Sequence, residues 1–481
     1  MRFSSLLLAI FAASTCSARS IQGPTSPLIP SSSSPLQKRS LLDTSELSPA
    51  LKIPNNQVSR GGAGPSPATM GLLSILGGFL THLTLGTIYC WGNLQSYMPP
   101  SMKYFASSTG TGTPDSLLII PLGLLAMCIG MPMSSTLQST LGLPGAMMFG
   151  SLIVSLAVFL SSFATTLAPF VLLYSILFGL GIGLAYTAPI VAGWRHYPTK
   201  KGLVSGFTLC GFGIGGFIFN LVGSALANPD KLSLDPATKT FPPSVYANFP
   251  VMLRKLAVIY LALQVTGAGL LKLTSLPPPA PAAKSGSAPG KYPTLKSAVL
   301  SRPFLFLWTC IVLSSTAGLN TVSVYKMYGN LSPTLKSDAY LAMVGGLGSV
   351  ANGVGRANWG IAQDKVGFSK LFTLLTITQS VVMLNYKRTV GNRFLFTSAT
   401  MALFLCMGGN FAMAPGACAK LFGPELGPKV FSVLFSSFAT AAVGGSYINK
   451  ALMGKGFDFI FVVMAIMSFM ATGLVKSLGD I

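Results

Sequence analysis

The sequence has few charged residues, very few acids and almost no histidine. Only 9% of its 481 residues are charged, and it contains 10 aspartates and glutamates and two histidines. It has no phosphate-binding loop and no His, Cys or Asp residues spaced as metal ligands. The seven cysteines show neither disulfide nor metal spacing. We therefore expect no enzyme activity, no metal and no cofactor.

Basic residues are in large excess, yet they do not form a nucleic-acid surface. The 32 lysines and arginines give a net charge of +22, but they are scattered through short loops and the N-terminal tail. Binding to nucleic acid requires an extended basic stripe interleaved with aromatic residues, and no loop carries one. The positive balance is typical of topology and targeting signals, and nothing in the sequence indicates an obligate protein partner.

Apolar residues make up 51% of the chain, which also has 52 glycines and a mean hydropathy of +0.63. This composition is typical of a polytopic protein of the lipid bilayer. Windows of about 20 apolar residues, the length that spans a hydrocarbon core, recur from residue 69 onward. They lie near 70–98, 115–137, 143–163, 167–194, 202–227, 250–273, 303–326, 339–363, 367–385, 394–418, 428–449 and 456–476. The sequence thus predicts an all-α membrane protein with twelve transmembrane helices.

The first 68 residues do not belong to the membrane fold. Residues 1–18 have the basic start, the short apolar run from Leu6 to Ala13 and the small residues of a secretory signal peptide. Residues 19–68 are rich in serine and proline and read as a disordered or transit-peptide-like tail. Two interpretations remain open: an ordinary secretory signal leading to the plasma membrane, or a bipartite leader for a plastid envelope.

The membrane region divides into two halves of six windows. Residues 275–302 separate the sixth window from the seventh, and this segment is rich in proline, serine and lysine, as a flexible linker is. We therefore expect an N-terminal six-helix bundle over 69–274 and a C-terminal six-helix bundle over 303–481.

The two halves are related to each other in sequence. The segment 130–142 matches 355–367 at an offset of 225 residues, with both terminal glycines and a glutamine in common, and Ala188-Pro189 precedes Ala414-Pro415 by 226 residues. A duplicated bundle of this kind favours a transporter whose substrate site lies at the midplane between the halves.

Arg356 lies inside the apolar window 339–363, about eight residues before its end. At about 1.5 Å per residue, this places a permanent charge about 12 Å below the helix end, within a hydrocarbon core about 30 Å thick. Such residues face a cavity and pair with another group, and they are by default candidates for function. No acid lies within reach on the same helix, so the missing partner is predicted to be a substrate carboxylate.

Other polar residues are predicted to line the same cavity. His82, Tyr89 and Asn93 recur on one face of the first helix with helical spacing, together with Gly86. His82 is either a proton carrier or a buried histidine bonded to a neighbouring helix, and Tyr89 and Tyr186 either line the cavity or pack. Two asparagines complete the set of candidates: Asn352, one turn before Arg356, and Asn410 in the tenth window.

The segment from Gly355 to Gly367, with Trp359-Gly360 and Asp364, resembles the second-half signature loop of the major facilitator superfamily. Three further segments resemble the oxalate:formate antiporter and monocarboxylate transporter branches of that superfamily: 86–91, 179–213 and 408–423. The resemblance covers roughly residues 70–476. It implies the major facilitator fold of two pseudo-symmetric six-helix bundles.

The resemblance also implies roles for individual residues. Arg356 stands where the carboxylate-binding branches have their helix 8 arginine, so it is expected to bind the substrate carboxylate. The alternative is that Arg356 belongs to the gate and pairs with Asp364 or a carbonyl. The conformational gate is expected to consist of four residues: Gly355, Gly360, Asp364 and Gly367.

Three positions depart from the branch pattern. Asn93 and Asn352 stand where the proton-linked monocarboxylate transporters have a lysine and an acid, and Phe438 stands where oxalate exchangers have a second cation. One cation accommodates a monocarboxylate more readily than a dicarboxylate. We therefore expect a membrane transporter of a small organic anion, a monocarboxylate above all. The alternative is a carrier of a neutral solute, or a sensor derived from a transporter, in which Arg356 serves only the gate.

Overall fold

Helices account for nearly all of the chain that the structure describes, and no strand occurs in that part. The computed structural model describes residues 65–106, 115–232, 235, 240–277 and 292–477. The predicted signal peptide, nearly all of the predicted tail and most of the predicted linker lie outside these residues. In the described part, eight helices are long and apolar enough to cross a membrane. The predicted all-α membrane fold class is confirmed.

The first half of the chain supplies helices α1 to α6. α1 spans Pro67–Tyr97, α2 and α3 together span Ile119–Ser161, α4 spans Leu167–His196, α5 spans Lys201–Ala227 and α6 spans Pro243–Leu273. α2 and α3 meet at Gly142, whose φ of 71° is a conformation that favours glycine. α6 begins earlier than its predicted window, because its first turns are too polar to register as an apolar run.

The second half supplies helices α7 to α12. α7 spans Arg302–Gly329, α8 spans Asp338–Val366, α9 spans Phe368–Asn385, α10 and α11 run through Arg393–Leu434 and Ser436–Leu452, and α12 spans Phe457–Lys476. α10 gives way to α11 at Gly423, where φ is 84°. The turns α2–α3, α4–α5, α8–α9 and α10–α11 lie at the same end of the helices as residues 275–277 and 292, which are described parts of the predicted linker, and we call this end the linker side.

The internal repeat appears in the structure as equivalent contacts in the two halves. A Cβ atom at Gly130 would lie 2.5 Å from the Leu180 carbonyl oxygen, and one at Gly355 would lie 2.7 Å from the Leu405 carbonyl oxygen. Both glycines therefore let a helix approach its neighbour closely. Two hydrogen bonds are also equivalent. The amide nitrogen of Gln138 donates to Thr187 Oγ1 at 2.8 Å, and the amide nitrogen of Gln363 donates to the Met413 carbonyl oxygen at 3.0 Å. α2 packs on α4 as α8 packs on α10.

The two halves meet most closely where α5 packs against α8. A Cβ atom at Gly206 would lie 2.6 Å from the carbonyl oxygen of Arg356, and one at Gly213 would lie 2.5 Å from the Cα atom of Gly353. Small residues allow two membrane helices to bring their backbones together in this way. The contact places α8, and with it Arg356, directly against the first half of the chain.

Candidate substrate site between the two halves

Arg356 is completely buried in the middle of α8, with 0% of its surface exposed. Among the described residues it is the only buried lysine or arginine. α8 is more polar than its neighbours because it also carries Asn352 and Gln363, both buried. A helix of this composition lies in the protein interior, where its polar face is kept from lipid.

One nitrogen of the Arg356 guanidinium is held by the helix itself. Nε donates to Oδ1 of Asn352 at 3.1 Å, and the amide nitrogen of Asn352 donates in turn to the carbonyl oxygen of Phe404 on α10 at 3.1 Å. Because a carbonyl only accepts, this second bond fixes which end of the Asn352 amide faces Arg356. The asparagine therefore orients the guanidinium.

Two aromatic rings contact the guanidinium from opposite halves of the chain. Its central carbon lies 4.6 Å from the ring centroid of Phe411 on α10 and 5.1 Å from that of Phe212 on α5. Both distances lie within the range in which a cation is attracted by the face of an aromatic ring. These contacts offset part of the cost of burying the charge, and they hold the side chain between the two bundles.

The two terminal nitrogens of Arg356, Nη1 and Nη2, are buried and make no hydrogen bond of normal geometry, although the hydroxyl of Tyr186 lies close enough to interact with the guanidinium. Leaving a buried ionised group unpaired is costly, and native structures rarely do so without a functional reason. The free nitrogens form a planar fork of donors, which matches the two oxygens of a carboxylate. The unsatisfied part of the side chain therefore has the geometry and charge that suit such an anion.

Three residues of the first half surround this fork. Tyr186 on α4 lies edge-on to His82 on α1 with ring centroids 5.0 Å apart, and Tyr89 packs on Phe212 at 5.6 Å. All three side chains interact electrostatically with Arg356. The hydroxyl of Tyr186 and the Nε2 atom of His82 are buried and make no hydrogen bond of normal geometry, but Tyr186 interacts with the guanidinium of Arg356 and the His82 ring with the backbone of Tyr186. The structure thus brings four of the predicted residues to one place and leaves polar atoms available there.

Two other predicted residues are arranged differently. The amide of Asn93 donates to the hydroxyl of Ser224 on α5 at 2.9 Å, so it ties α1 to α5. The amide nitrogen of Asn410 on α10 donates to the carbonyl of Cys406 at 3.3 Å, while its Oδ1 atom is buried without a partner. Asn410 keeps one polar atom available, and Asn93 is engaged in packing.

The sequence did not indicate the two phenylalanines that contact the guanidinium. Phe411 follows Asn410, and Phe212 stands between two glycines, but apolar helices contain many phenylalanines and no pattern distinguishes these two. Phe438, at the position where the resemblance placed a second cation in oxalate exchangers, is buried and stacks on Phe411 with ring centroids 4.2 Å apart. An aromatic wall therefore stands where a second positive charge would be.

The four predicted gate residues occupy two different settings. The carboxylate of Asp364 accepts the backbone N–H groups of Gly202 at 2.8 Å and Leu203 at 2.7 Å, at the N-terminus of α5. A negative charge there satisfies unpaired N–H groups and complements the helix dipole. Gly360 packs against the backbone of the same turn. Both residues join the two halves on the linker side.

Gly355 and Gly367 act within the second half. Gly355 allows α8 to approach α10, and Gly367, with φ of 90°, makes the turn between α8 and α9. Arg356 does not pair with Asp364 in this structure, since one bonds to Asn352 and the other to α5. Within the described residues, no group of three or more His, Cys, Asp or Glu side chains is placed to hold a metal.

Solved structures of transporters share this fold. The transporter FucP in its outward conformation, the fucose:proton symporter of E. coli, gives a TM-score of 0.61 at 14% identity, covering 85% of this chain and 100% of that one. The proton:xylose symporter XylE gives a TM-score of 0.60, again at 14% identity, over 85% of this chain and 95% of that one. At these identities the likeness shows the fold, which is the major facilitator fold.

Sequence comparison finds carriers of organic anions. The chain is 28% identical over 456 aligned residues to apicoplast pyruvate carrier 1 of Toxoplasma gondii, covering 79% of this chain and 83% of that protein. It is 24% identical to the oxalate:formate antiporter of Oxalobacter formigenes, over 62% of this chain and 66% of that protein. No family model matches the chain. The chain therefore has the major facilitator fold, and in sequence it is similar to transporters, among them a pyruvate carrier and an oxalate:formate antiporter.

Proposed function

We propose that this transporter carries a small monocarboxylate and that Arg356 anchors the carboxylate group. The observation that carries the proposal is the pair of buried nitrogens at the end of the Arg356 side chain, which make no hydrogen bond of normal geometry and are held between the two halves. A carboxylate bound there would accept hydrogen bonds from both nitrogens and neutralise the buried charge. Such an ion pair is strongest where the local dielectric constant is low.

The surroundings of Arg356 favour one carboxylate over two. No other lysine or arginine of the described residues is buried, and Phe438 and Phe411 form an apolar wall beside the guanidinium. The second charge of a dicarboxylate would be buried without a partner, at a cost that a monocarboxylate avoids. Among the anions carried by the relatives, pyruvate and formate fit this site better than oxalate. Similarity to the apicoplast pyruvate carrier makes pyruvate the first substrate to test.

Transport by alternating access agrees with the contacts between the halves. On the linker side, Asp364 and Gly360 tie α8 to α5, and a cleft of about 260 Å³ ends at this contact. These bonds are few and lie at one end of the helices. Their rupture would let the halves rock apart around Arg356 and open the site toward the linker side.

Uptake into proteoliposomes tests the proposed substrate class. We expect the purified full-length protein to carry labelled pyruvate, lactate and formate, and to carry oxalate poorly. Arg356→Lys keeps the charge but removes the planar fork and the bond to Asn352, so pyruvate uptake should fall about tenfold or more.

Arg254→Lys is the matched control for that experiment. Arg254 also donates through Nε, to the Ser162 hydroxyl at 3.2 Å, and also stacks on a phenylalanine, Phe163 at 4.9 Å, but it is exposed. Its replacement should leave uptake unchanged. If the wild type carries a neutral solute and no carboxylate, or if Arg356→Lys transports pyruvate normally, Arg356 serves only the gate and the proposal is wrong.

We further propose that the transporter resides in a plastid envelope rather than in the plasma membrane. The signal-like segment 1–18 and the serine- and proline-rich tail 19–68 form a two-part leader, and a relative is a carrier of the apicoplast. A fluorescent protein fused after residue 68 and expressed in Toxoplasma gondii should reach the apicoplast. Removal of 19–68 should divert it to the secretory route. Delivery of the full leader fusion to the plasma membrane would contradict this assignment.

A further inference from the structure

A cleft of about 260 Å³ opens between the two halves of the chain on the linker side. The first half contributes Lys201 and the loop that precedes α5, and the second half contributes the end of α8, its turn to α9 and the end of α10. We call it the linker-side cleft and define it by five lining residues: Lys201, Gln363, Asp364, Gly416 and Lys420. Its walls therefore belong to parts of the protein that move apart when the halves separate.

The linker-side cleft has an excess of positive charge. Lys201 comes from the first half and Lys420 from the second, and among the described residues neither forms a salt bridge. Asp364 is the one acid in the lining, and each of its two oxygens already accepts a backbone N–H group of α5. Two ammonium groups without a carboxylate partner favour an anion of two charges, and lysine binds phosphate as a point charge.

Lys201 is held in place by Trp194. Its Nζ atom lies 5.6 Å from the centroid of the Trp194 ring, within the range of a cation–π contact. The ring nitrogen donates to the Lys201 carbonyl oxygen at 3.0 Å and to the Ser205 hydroxyl at 3.1 Å, so the ring is itself fixed on α5. A side chain supported in this way loses less conformational entropy when it binds an anion.

Gln363 adds a buried hydrogen-bond acceptor to the cleft. Its side chain is 9% exposed, and its amide nitrogen donates to the Met413 carbonyl oxygen, which only accepts. The amide orientation is thereby fixed, and Oε1 is buried without a partner. Oε1 lies beside Gly416, where a Cβ atom would be only 2.8 Å from it. A ligand that satisfies Oε1 must donate a hydrogen bond, as a hydroxyl group does and a phosphate dianion does not.

We propose that the linker-side cleft binds a small phosphomonoester that also carries a hydroxyl group, and that this ligand inhibits transport. The phosphate contacts the ammonium groups of Lys201 and Lys420, and the hydroxyl donates to Gln363 Oε1. Pockets for drug-sized ligands have about 300–1,000 Å³, so this smaller cleft suits a ligand of a few carbons. Because the two lysines belong to different halves, the ligand binds while the linker side is closed and stabilises that state.

Calorimetry on the detergent-purified full-length protein tests binding, with glycerol 3-phosphate as the probe. The wild type should show saturable binding at one site per chain. Lys201→Gln and Lys420→Gln each remove one ammonium group and should weaken binding about tenfold, the loss expected for one charge-assisted hydrogen bond. Lys370→Gln is the matched control, because Lys370 is exposed on α9 at the same end and lies outside the cleft. It should bind the probe as the wild type does.

Propyl phosphate tests the role of Gln363. It has the chain length and the phosphate of glycerol 3-phosphate but no hydroxyl group, so the wild type should bind it about fivefold more weakly. Gln363→Leu lacks the acceptor and should bind the two compounds equally. Equal binding of the two compounds by the wild type would show that Oε1 does not contact the ligand and would contradict the proposed ligand class.

The labelling of Cys210 by maleimide reports the conformational effect. Cys210 is buried on α5, and its carbonyl faces Gly353 of α8, so it reacts when the halves separate. At ten times its Kd, a ligand that binds only the closed state should slow the labelling about tenfold. At the same concentration, labelling of Lys420→Gln should slow only about twofold. In proteoliposomes, solute uptake should fall in parallel when the probe is on the linker side.

A lipid headgroup can carry the same phosphomonoester and hydroxyl groups. Labelling is therefore compared in liposomes of phosphatidylcholine alone and in liposomes that also contain phosphatidylinositol 4-phosphate. Protection by free glycerol 3-phosphate in phosphatidylcholine supports a soluble ligand. Protection by the lipid, with no further effect of the free probe, supports the same site and assigns it to a headgroup.

The proposal is overturned if the wild type does not bind glycerol 3-phosphate, or if Lys201→Gln and Lys420→Gln bind it as tightly as the wild type. It is also overturned if the bound probe leaves the labelling of Cys210 unchanged or accelerates it. The site does not depend on which solute is carried. A wild type that carries no pyruvate, but binds the probe and protects Cys210, would remove the proposed function and support this site.

Discussion

Replacing Arg356 with methionine should stabilise the substrate-free protein and abolish the stabilisation that pyruvate gives to the wild type. The guanidinium is completely buried and two of its nitrogens make no hydrogen bond of normal geometry, so the empty site contains an uncompensated charge. Methionine also occupies the equivalent position of the first half, Met131, which is buried. An apolar side chain of similar length removes the desolvation penalty and packs between the same phenylalanine rings.

The loss of pyruvate affinity should be large. Without Arg356 a bound carboxylate is left buried and unpaired, which costs about 3–5 kcal/mol, or a factor of roughly 150 to 4,000 in Kd. Thermal unfolding of the detergent-purified protein, with and without saturating pyruvate, measures both effects. The wild type should unfold at a higher temperature with pyruvate than without it. Arg356→Met should unfold at the same temperature with and without pyruvate, and that temperature should exceed the unfolding temperature of the substrate-free wild type.

Arg254→Met is the control for this measurement. Arg254 is exposed, so its charge is already solvated and its replacement should neither raise the unfolding temperature nor change the response to pyruvate. A lower unfolding temperature for substrate-free Arg356→Met would show that the arginine holds the two halves together. An unchanged pyruvate response in that variant would show that the carboxylate binds elsewhere.

The burial of Arg356 could be predicted from the sequence, but its surroundings could not. A lone arginine in an apolar window has few physical options, and helical spacing places Asn352 one turn away from it. Phe212, Phe411 and the carbonyl of Phe404 come from other helices, and their approach depends on how α5 and α10 pack against α8. Helical periodicity identifies the inner face of each helix but contains no information on which inner faces meet.

The same limit explains the outcome for the polar face of α1. His82 and Tyr89 lie near the guanidinium, whereas Asn93 is one turn further along and bonds to Ser224. Spacing placed all of them on one side of the helix, as the structure does. The distance of each residue from Arg356 along the helix axis decides which of them can contact a substrate. That distance depends on how α1 packs relative to α8, and the sequence of α1 alone does not determine this packing.

Comparison of equivalent positions in the internal repeat shows that the charged groups lie in the second half only. Arg356 and Asp364 on α8 have Met131 and Ser139 as their counterparts on α2. Met131 is buried, and Ser139 donates to the carbonyl of Thr136 in its own helix. The two related halves therefore form a similar scaffold, while α8 alone supplies the proposed anion anchor and the charged contact to α5. A single-charge substrate needs only one such anchor.

Gly206→Ala should strongly impair transport by forcing α5 away from α8. The added Cβ atom would lie 2.6 Å from the carbonyl oxygen of Arg356 and 3.0 Å from that of Ala357. Both are backbone atoms, so relief requires α8 to shift. Overpacking of this kind costs about 1–3 kcal/mol, which lowers the population of the closed linker-side contact by roughly 5- to 150-fold. We expect pyruvate transport to fall in proportion.

Gly216→Ala on the same helix is the matched control, because its nearest heavy atoms would lie 3.9 Å away. Both substitutions improve helix propensity by about 1 kcal/mol, so a difference between them reports the contact with α8. Asp364→Asn should act in the same direction as Gly206→Ala, since it removes the negative charge that holds the N-terminus of α5.

Maleimide labelling of Cys210, located by mass spectrometry, follows the separation of the halves directly. Cys210 is buried one turn beyond Gly206, and its carbonyl faces Gly353 of α8. Its labelling should accelerate in Gly206→Ala and in Asp364→Asn, and should stay at the wild-type rate in Gly216→Ala. Equal labelling and equal transport in the two alanine variants would mean that α5 and α8 separate without resistance. The gate would then have to lie in another pair of helices.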